Sequence, residues 1–143
     1  NKIKKKYKKI DLILAPAMGG VIIGYEIGKL LKKETIFCER VNGKFKLRRG
    51  FSIKKGAKVL IIEDVITTGK SSLECVKLIK KAKAKLLGFA SIIDRSTKKT
   101  LKIKTEIIIP IFKRRPTIRG IKFYSIVTFR QRLNTALSNN SVS

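Results

Sequence analysis

The stretch VLIIEDVITTGKSS, Val59 to Ser72, decides the fold. Val59, Leu60, Ile61 and Ile62 form a continuous apolar run. Such a run, opened by Lys58 and bounded by turn-forming residues, reads as a strand buried on both faces. The acids Glu63 and Asp64 follow at once, and Val65 to Gly69 then reads as a loop of small residues. From Lys70 to Lys83 the apolar positions Leu73, Val76 and Ile79 recur at helical spacing. The same order occurs upstream. Asp11 to Ala15 is a short apolar strand, Pro16 to Gly20 (PAMGG) is turn material, and Val21 to Lys33 is a helix with Ile23, Ile27, Leu30 and Leu31 on one face. Glu34 to Cys38, Leu86 to Ile93 and Glu106 to Ile111 read as further strands. Apolar strands alternating with helices predict an α/β fold, a mostly parallel sheet of about five strands with helices on its faces.

Composition bounds the rest. The 143 residues suit one domain large enough to bury a core. No apolar run reaches the ~20 residues of a membrane span, and no signal-like apolar segment follows the lysine-rich lead-in Asn1 to Lys9. The expectation is a cytoplasmic protein without a membrane partner. Cys38 and Cys75 have no metal-type spacing and read as small buried apolar residues in a reducing compartment rather than as a disulfide. There is no histidine, which removes the commonest general base. The net charge of +26 suits polyanionic ligands. Lysine–isoleucine-rich composition, as an A/T-rich coding bias produces, accounts for much of it as solvated surface. No acid follows Glu106, so residues 113–143 form an atypical basic tail after a core over 1–112. Within that tail Lys122 to Arg130 reads as an edge strand ahead of a disordered end, or else the segment reads as a foreign or frame-shifted ending.

Ligands of parallel sheets bind beyond the carboxyl ends of the strands, where both PAMGG and EDVITTG fall. Adjacent carboxylates repel, so a purely structural role for Glu63 and Asp64 is disfavoured. Ionised carboxylates accept strongly from the paired hydroxyls of a ribose. The small-residue loop lets backbone N–H groups approach an anion, and Thr67, Thr68, Ser71 and Ser72 add hydroxyls beside a helix N-terminus. Together these features describe a site for a phosphorylated ribose. The competing reading is a strand end followed by an ordinary capped helix.

On these residues the chain resembles the type I phosphoribosyltransferases, whose motif runs four hydrophobic residues, two acids and a phosphate loop. DLILAPAMGG, FCERVNGKFKLRRGF and ASIIDR, in that order, resemble the orotate phosphoribosyltransferases. The resemblance spans Asp11 to Ile111. It implies the Rossmann-like type I phosphoribosyltransferase fold and transfer of phosphoribosyl from phosphoribosyl diphosphate (PRPP) to orotate. Glu63 and Asp64 would hold the ribose hydroxyls. Thr67 would lie near base and ribose, and Thr68, Gly69, Lys70 and Ser71 would bind the 5-phosphate with it. Ala17, Met18, Gly19 and Gly20 would form the pyrophosphate loop, with a cis peptide between Ala17 and Met18. Arg95 would contact orotate, or pair with Asp94 at the surface. Glu39 to Phe51 would be a mobile catalytic loop presenting Arg40, Lys44, Arg48 and Arg49 across a homodimer interface; a solvated hairpin is the alternative.

Mg2+ would be carried by the oxygens of PRPP, with no direct protein ligand. A purine phosphoribosyltransferase, or a PRPP-sensing regulator that binds nucleic acid, is the alternative function; nucleic acid is not the expected partner. The chain departs from the family in lacking the hood segment ahead of the first strand, in placing Gly19 where some members carry lysine, and in its ending after Ile111. The expectation is therefore an N-terminally incomplete transferase core.

Overall fold

The structure, a computed structural model, describes residues 2–95 and 108–113. The edge strand expected over Lys122 to Arg130 and the basic tail beyond Lys113 lie outside them. A short helix α1 (Lys2–Lys6) precedes β1 (Leu12–Pro16), α2 (Gly19–Leu31) and β2 (Glu34–Val41). β3 (Lys44–Leu47), β4 (Lys58–Ile66), α3 (Lys70–Lys81), β5 (Lys85–Asp94) and β6 (Ile108–Lys113) complete the order. The strands form one six-stranded sheet in the order β3-β2-β1-β4-β5-β6. All neighbours are parallel except β2 and β3, an antiparallel hairpin closed at Asn42-Gly43. The hairpin supplies the sixth strand. It forms because Val41 and Lys44 can pair across a two-residue turn whose residues both take positive φ, 51° and 75°.

Helices cover both faces. On one, Leu12, Leu14, Ile36, Cys38, Val59, Ile61 and Phe89 pack with Cys75 and Ile79 of α3. On the other, Ile13, Leu60, Ile62 and Ala90 pack with Ile23 and Ile27 of α2 and Ile3 of α1. The period-2 alternation of each strand sorts its apolar residues between the two cores. Each fully buried isoleucine contributes about 1.5–3 kcal/mol through the area it removes from water. This explains why β1 and β4 carry almost unbroken aliphatic runs.

The inward stripes of the helices differ from the sequence reading. In α2 the buried positions are Gly20, Ile23, Gly24, Ile27 and Gly28, while Leu30 is exposed. In α3 they are Ser72, Cys75 and Ile79, with Leu73 and Val76 only half-buried. Both helices thus turn small residues toward the sheet. The reason is distance. A Cβ on Gly24 would stand 2.7 Å from the Ala15 Cβ, and one on Gly20 would stand 2.9 Å from the Ile62 carbonyl oxygen. α2 therefore lies directly on the ends of β1 and β4.

Replacing Gly24 by alanine tests this close approach. Helix propensity favours alanine by about 1 kcal/mol, but overpacking against a fixed strand costs more. Gly24→Ala is expected to destabilise the fold by about 1–2 kcal/mol net, read as a lower denaturant midpoint at unchanged slope.

Candidate functional site

β1 and β4 are neighbours, yet their following helices leave on opposite faces of the sheet. That arrangement opens a crevice at the carboxyl ends of the two strands, the switch point where open α/β sheets bind ligands. The residues after β1 and the residues ending β4 flank it. Leu12, Ile13 and Leu14 pair with Val59, Leu60 and Ile61, which sets Pro16 to Gly20 beside Glu63 and Asp64. The contact is direct. A Cβ on Gly19 would collide with the Asp64 carboxylate, whose Cγ lies 2.6 Å from that position. The Ala17–Met18 peptide is cis, and the Ala17 N–H donates to the Cys38 carbonyl at 2.8 Å. Met18, just before α2, is 86% exposed at the rim.

The acids are not a pair facing one way. β4 continues through them to Ile66, so strand alternation sends their side chains to opposite faces. Glu63 turns to the α3 face, is 7% exposed and accepts a hydrogen bond from the Ser72 hydroxyl at 2.5 Å. Asp64 turns to the α2 face, is half-buried, and accepts from the Val65 N–H at 2.7 Å through Oδ1. Its position against Gly19 puts a negative charge at the N-terminus of α2, where the helix dipole favours it. Burial pushes the Glu63 carboxyl from 4.5 up to about 7. The Ser72 hydrogen bond pulls it down, and the charge of Asp64 pushes it up, by lesser amounts. The repulsion anticipated between adjacent carboxylates is thus a minor part of their electrostatics; desolvation of one of them dominates.

The loop after β4 is Thr67 to Gly69, shorter than the span expected from Val65. Thr67, Thr68 and Lys70 are exposed, Ser71 is half-buried and Gly69 is buried. Gly69 takes φ 72°, which turns the chain into α3, and its carbonyl receives the Leu73 N–H at 2.9 Å. The Thr68 hydroxyl accepts from the Lys70 N–H at 3.3 Å. α3 has no side-chain cap at its start. The N–H groups of its first turn have no partner within the helix and point toward this loop. Arg95 stands exposed beside the loop, because Ile66 pairs with Asp94 and the Arg95 N–H donates to the Ile66 carbonyl at 2.8 Å.

Of the basic residues of Glu39 to Phe51, Arg40 and Lys44 lie on the hairpin and Arg48 and Arg49 follow it, and these three arginines are already engaged. Arg40 pairs with Glu74 of α3 at 2.8 Å, donates to the Gly43 carbonyl at 2.8 Å, and covers the Phe45 ring at 4.3 Å. Arg48 and Arg49 both face Glu39, at 3.5 and 3.6 Å, and Arg49 also lies 5.9 Å above the Phe37 ring. Lys44 is exposed. Ser72, expected among the hydroxyls facing an anion, is instead buried as the partner of Glu63, and Ser91, buried opposite Glu63 in the β4–β5 register, was not anticipated at the site. A serine in the otherwise aliphatic run of β5 was the available signal. Among the described residues no group of three His, Cys, Asp or Glu is placed to hold a metal, and no helix is long and apolar enough to cross a membrane. A cleft of about 320 Å³ lined by Lys4, Tyr7, Lys8, Ile10, Leu31 and Lys33 lies at the other end of the sheet, away from both loops.

Comparison with known proteins agrees with this layout. The family described as phosphoribosyl transferase domain matches residues 1–117. A protein of Sphingopyxis alaskensis named orotate phosphoribosyltransferase is 51% identical over 96 residues, covering 66% of this chain and 49% of that protein. One of the same name from Erythrobacter litoralis is 50% identical over 88 residues, covering 62% and 46%. The chain spans about half the length of the curated relatives it matches. Among solved structures, adenine phosphoribosyltransferase of Saccharomyces cerevisiae superposes with a TM-score of 0.65 at 18% identity, over 78% of this chain and 72% of that one. Leishmania donovani UMP synthase superposes at 0.54 with 22% identity, over 65% and 20%. At these identities the structural likeness concerns the fold.

The state of Glu63 makes stability depend on pH. Its carboxyl titrates higher folded than unfolded, so the folded chain holds the proton more tightly. The stabilisation is fully present below 4.5 and is lost as pH rises through about 7. The difference between wild type and Glu63→Gln in urea-unfolding free energy is expected to change by roughly 3 kcal/mol between pH 4.5 and pH 8, the wild type being relatively weaker at the higher pH. Parallel curves for the two proteins would refute the buried-acid description.

Proposed function

The chain belongs to the phosphoribosyl transferase domain family, and from that premise we propose that it binds PRPP at the β1/β4 switch point and transfers its phosphoribosyl group to orotate. The products are orotidine 5'-monophosphate and pyrophosphate, a step of pyrimidine synthesis. The observation that carries this reading is the meeting of PAMGG and the acid–phosphate loop at one crevice, with Gly19 against Asp64. The choice of orotate rests on the two relatives at about half identity and on the exposed Arg95 beside the loop. A guanidinium fork matches a planar carboxylated base.

In this proposal the 5-phosphate sits on the backbone N–H groups of Thr68, Gly69, Lys70 and Ser71 and on the hydroxyls of Thr67, Thr68 and Ser71. The start of α3 adds its favourable dipole. The ribose hydroxyls donate to Glu63 and Asp64. Asp64 is open to the crevice, whereas Glu63 is reached once its proton leaves and its bond with Ser72 is shared. The leaving pyrophosphate takes the N–H groups of Met18, Gly19 and Gly20. As the bond from C1 of the ribose to pyrophosphate breaks, positive charge builds on the sugar and negative charge on the departing group. Fixed donors aimed at that group lower the barrier. N1 of orotate then bonds to C1.

Mg2+ suits this donor set. It keeps several waters and would take the rest of its shell from the oxygens of PRPP, so no carboxylate of this chain need bind it directly. When bound, the metal neutralises charge on the diphosphate. The hairpin supplies further cations. Arg48 and Arg49 reach Glu39 through long contacts from exposed guanidinium groups, of the kind worth no more than about 1 kcal/mol, and Arg49 adds only a distant contact with the Phe37 ring, so both are released easily. Arg40, tied to Glu74, Phe45 and Gly43, anchors the hairpin to α3, while Lys44, Arg48 and Arg49 move to the pyrophosphate. The working form is a cytoplasmic homodimer in which each hairpin serves the neighbouring site. Closure of such a segment excludes water before reaction.

Calorimetric titration with PRPP and Mg2+ tests the binding core. The double variant Glu63→Gln/Asp64→Asn is expected to weaken PRPP by about 100-fold, or roughly 3 kcal/mol. Equal affinity in the two proteins would overturn the assignment. The base is tested by pyrophosphate release, which orotate and not adenine is expected to stimulate. Because the ribose prefers an ionised Glu63, PRPP affinity should fall as pH drops below about 7. Glu63→Gln should remove the part of that slope due to this group.

A further inference from the structure

We propose that Cys38 and Cys75 form a redox-sensitive thiol pair whose reversible disulfide weakens ligand binding at the β1/β4 crevice; the regulatory half of this inference rests on the PRPP reading above. The two cysteines are the only ones in the chain. They come from separate elements, β2 and α3, and both are fully buried and free. Their sulfurs nevertheless stand 3.3 Å apart, sharing an S–H···S contact. A bond of about 2.0 Å requires an approach of only about 1.3 Å.

The placement of the pair gives that approach a consequence. Cys38 pairs with Pro16 in the β1–β2 register, and its carbonyl accepts the Ala17 N–H at 2.8 Å, so it underlies the PAMGG loop. Cys75 lies on the same face of α3 as Ser72, one turn on. Ser72 holds Glu63 at 2.5 Å, and the Thr67–Gly69 loop leads into that same helix. Drawing α3 toward β2 therefore shifts the start of the helix, the phosphate loop and the partner of Glu63 together.

The oxidant class is a hydroperoxide. One thiolate attacks the peroxide, takes its oxygen as a sulfenic acid and, with hydrogen peroxide, releases water. The second sulfur then displaces the hydroxyl, the S–S bond forms, and a second water leaves. Two electrons and both thiol hydrogens pass to the peroxide. In the closed fold the Cys75 thiol is pushed up, first by its bond to Cys38 and then by burial and by the charges of Glu63 and Glu74. The reaction therefore runs through local opening at the start of α3, where Gly69 offers no side-chain cap and the Thr68 hydroxyl takes the Lys70 N–H at 3.3 Å. By linkage, a ligand that holds the phosphate loop slows the reaction as surely as the disulfide weakens the ligand.

The test treats the intact chain with hydrogen peroxide and counts free thiols, with intact mass and PRPP titration before and after. The expected result is loss of both thiols together, a mass lower by two hydrogens, and recovery with dithiothreitol. PRPP affinity should be about tenfold lower in the oxidised form, and added PRPP should slow thiol loss. Cys38→Ala and Cys75→Ala should bind PRPP as the reduced wild type does and keep that affinity after peroxide. Should either alanine variant fail to fold, the oxidised and dithiothreitol-restored wild type provide the comparison without it. Persistence of both thiols, oxygen adducts without a crosslink, or only intermolecular crosslinks would overturn the pair. A crosslink that leaves PRPP affinity unchanged would overturn its regulatory role. Failure of the reduced wild type to bind PRPP would overturn the functional reading instead, while the thiol count still judges the pair.

Discussion

The parallel pairing of β1 with β4 is the constraint on which the rest depends. Three consecutive residues of each strand are in register, and all six are almost or fully buried. A parallel pair of this kind needs both faces covered, so α2 leaves β1 on one side and α3 leaves β4 on the other. That divergence makes the crevice. It also dictates composition. α2 can reach the strand ends only by presenting Gly20 and Gly24, and its first residue can pass Asp64 only as glycine, Gly19. Any side chain at position 19 would place its Cβ in the Asp64 carboxylate with the backbone as it stands here.

Within the crevice, strand geometry divides labour between two acids that are adjacent in sequence. Asp64 remains half-open beside a helix N-terminus. Glu63 is drawn into the α3 core, where loss of water, more than its neighbour's charge, governs its proton. A chain of net charge +26 surrounds this small acidic centre. Such a field attracts phosphate-bearing ligands over a distance of about a Debye length, roughly 8–10 Å, before any specific contact forms. The hairpin continues that theme at short range. Its arginines are tethered to Glu39 and Glu74, two of the few acids in the chain, by bonds of unequal strength.

Much of the architecture was legible in advance because its signals are local. The aliphatic runs of β1, β4 and β5 announce buried strands, and glycine and proline mark their ends. The cis peptide at Ala17–Met18 was expected from the resemblance of PAMGG to a known loop and is present. Where the reading fell short, a long-range contact had overruled a local cue. Glu63 and Asp64 looked like the end of a strand, yet β4 runs on to Ile66 because β5 pairs with it as far as Asp94. The polar segment after Cys38 read as a mobile loop or a solvated hairpin; it pairs as a hairpin, and its Phe45 is buried against α3 rather than solvated. The lysine-rich lead-in contains a helical turn because Ile3 finds the apolar patch made by α2 and the sheet.

Local sequence pattern alone carries the class of fold, the alternation of the parallel strands with α2 and α3, and the two small-residue loops at the strand ends. Each of these is written in hydrophobic period and turn residues that act over a few positions. Tertiary structure alone decided that the two acids face apart, that Ser72 rather than a surface cap receives Glu63, and that Cys38 meets Cys75. Those facts depend on which strand lies beside which and how far a helix is rotated upon them. Close packing settles such matters among residues distant in the chain, and no local pattern encodes them.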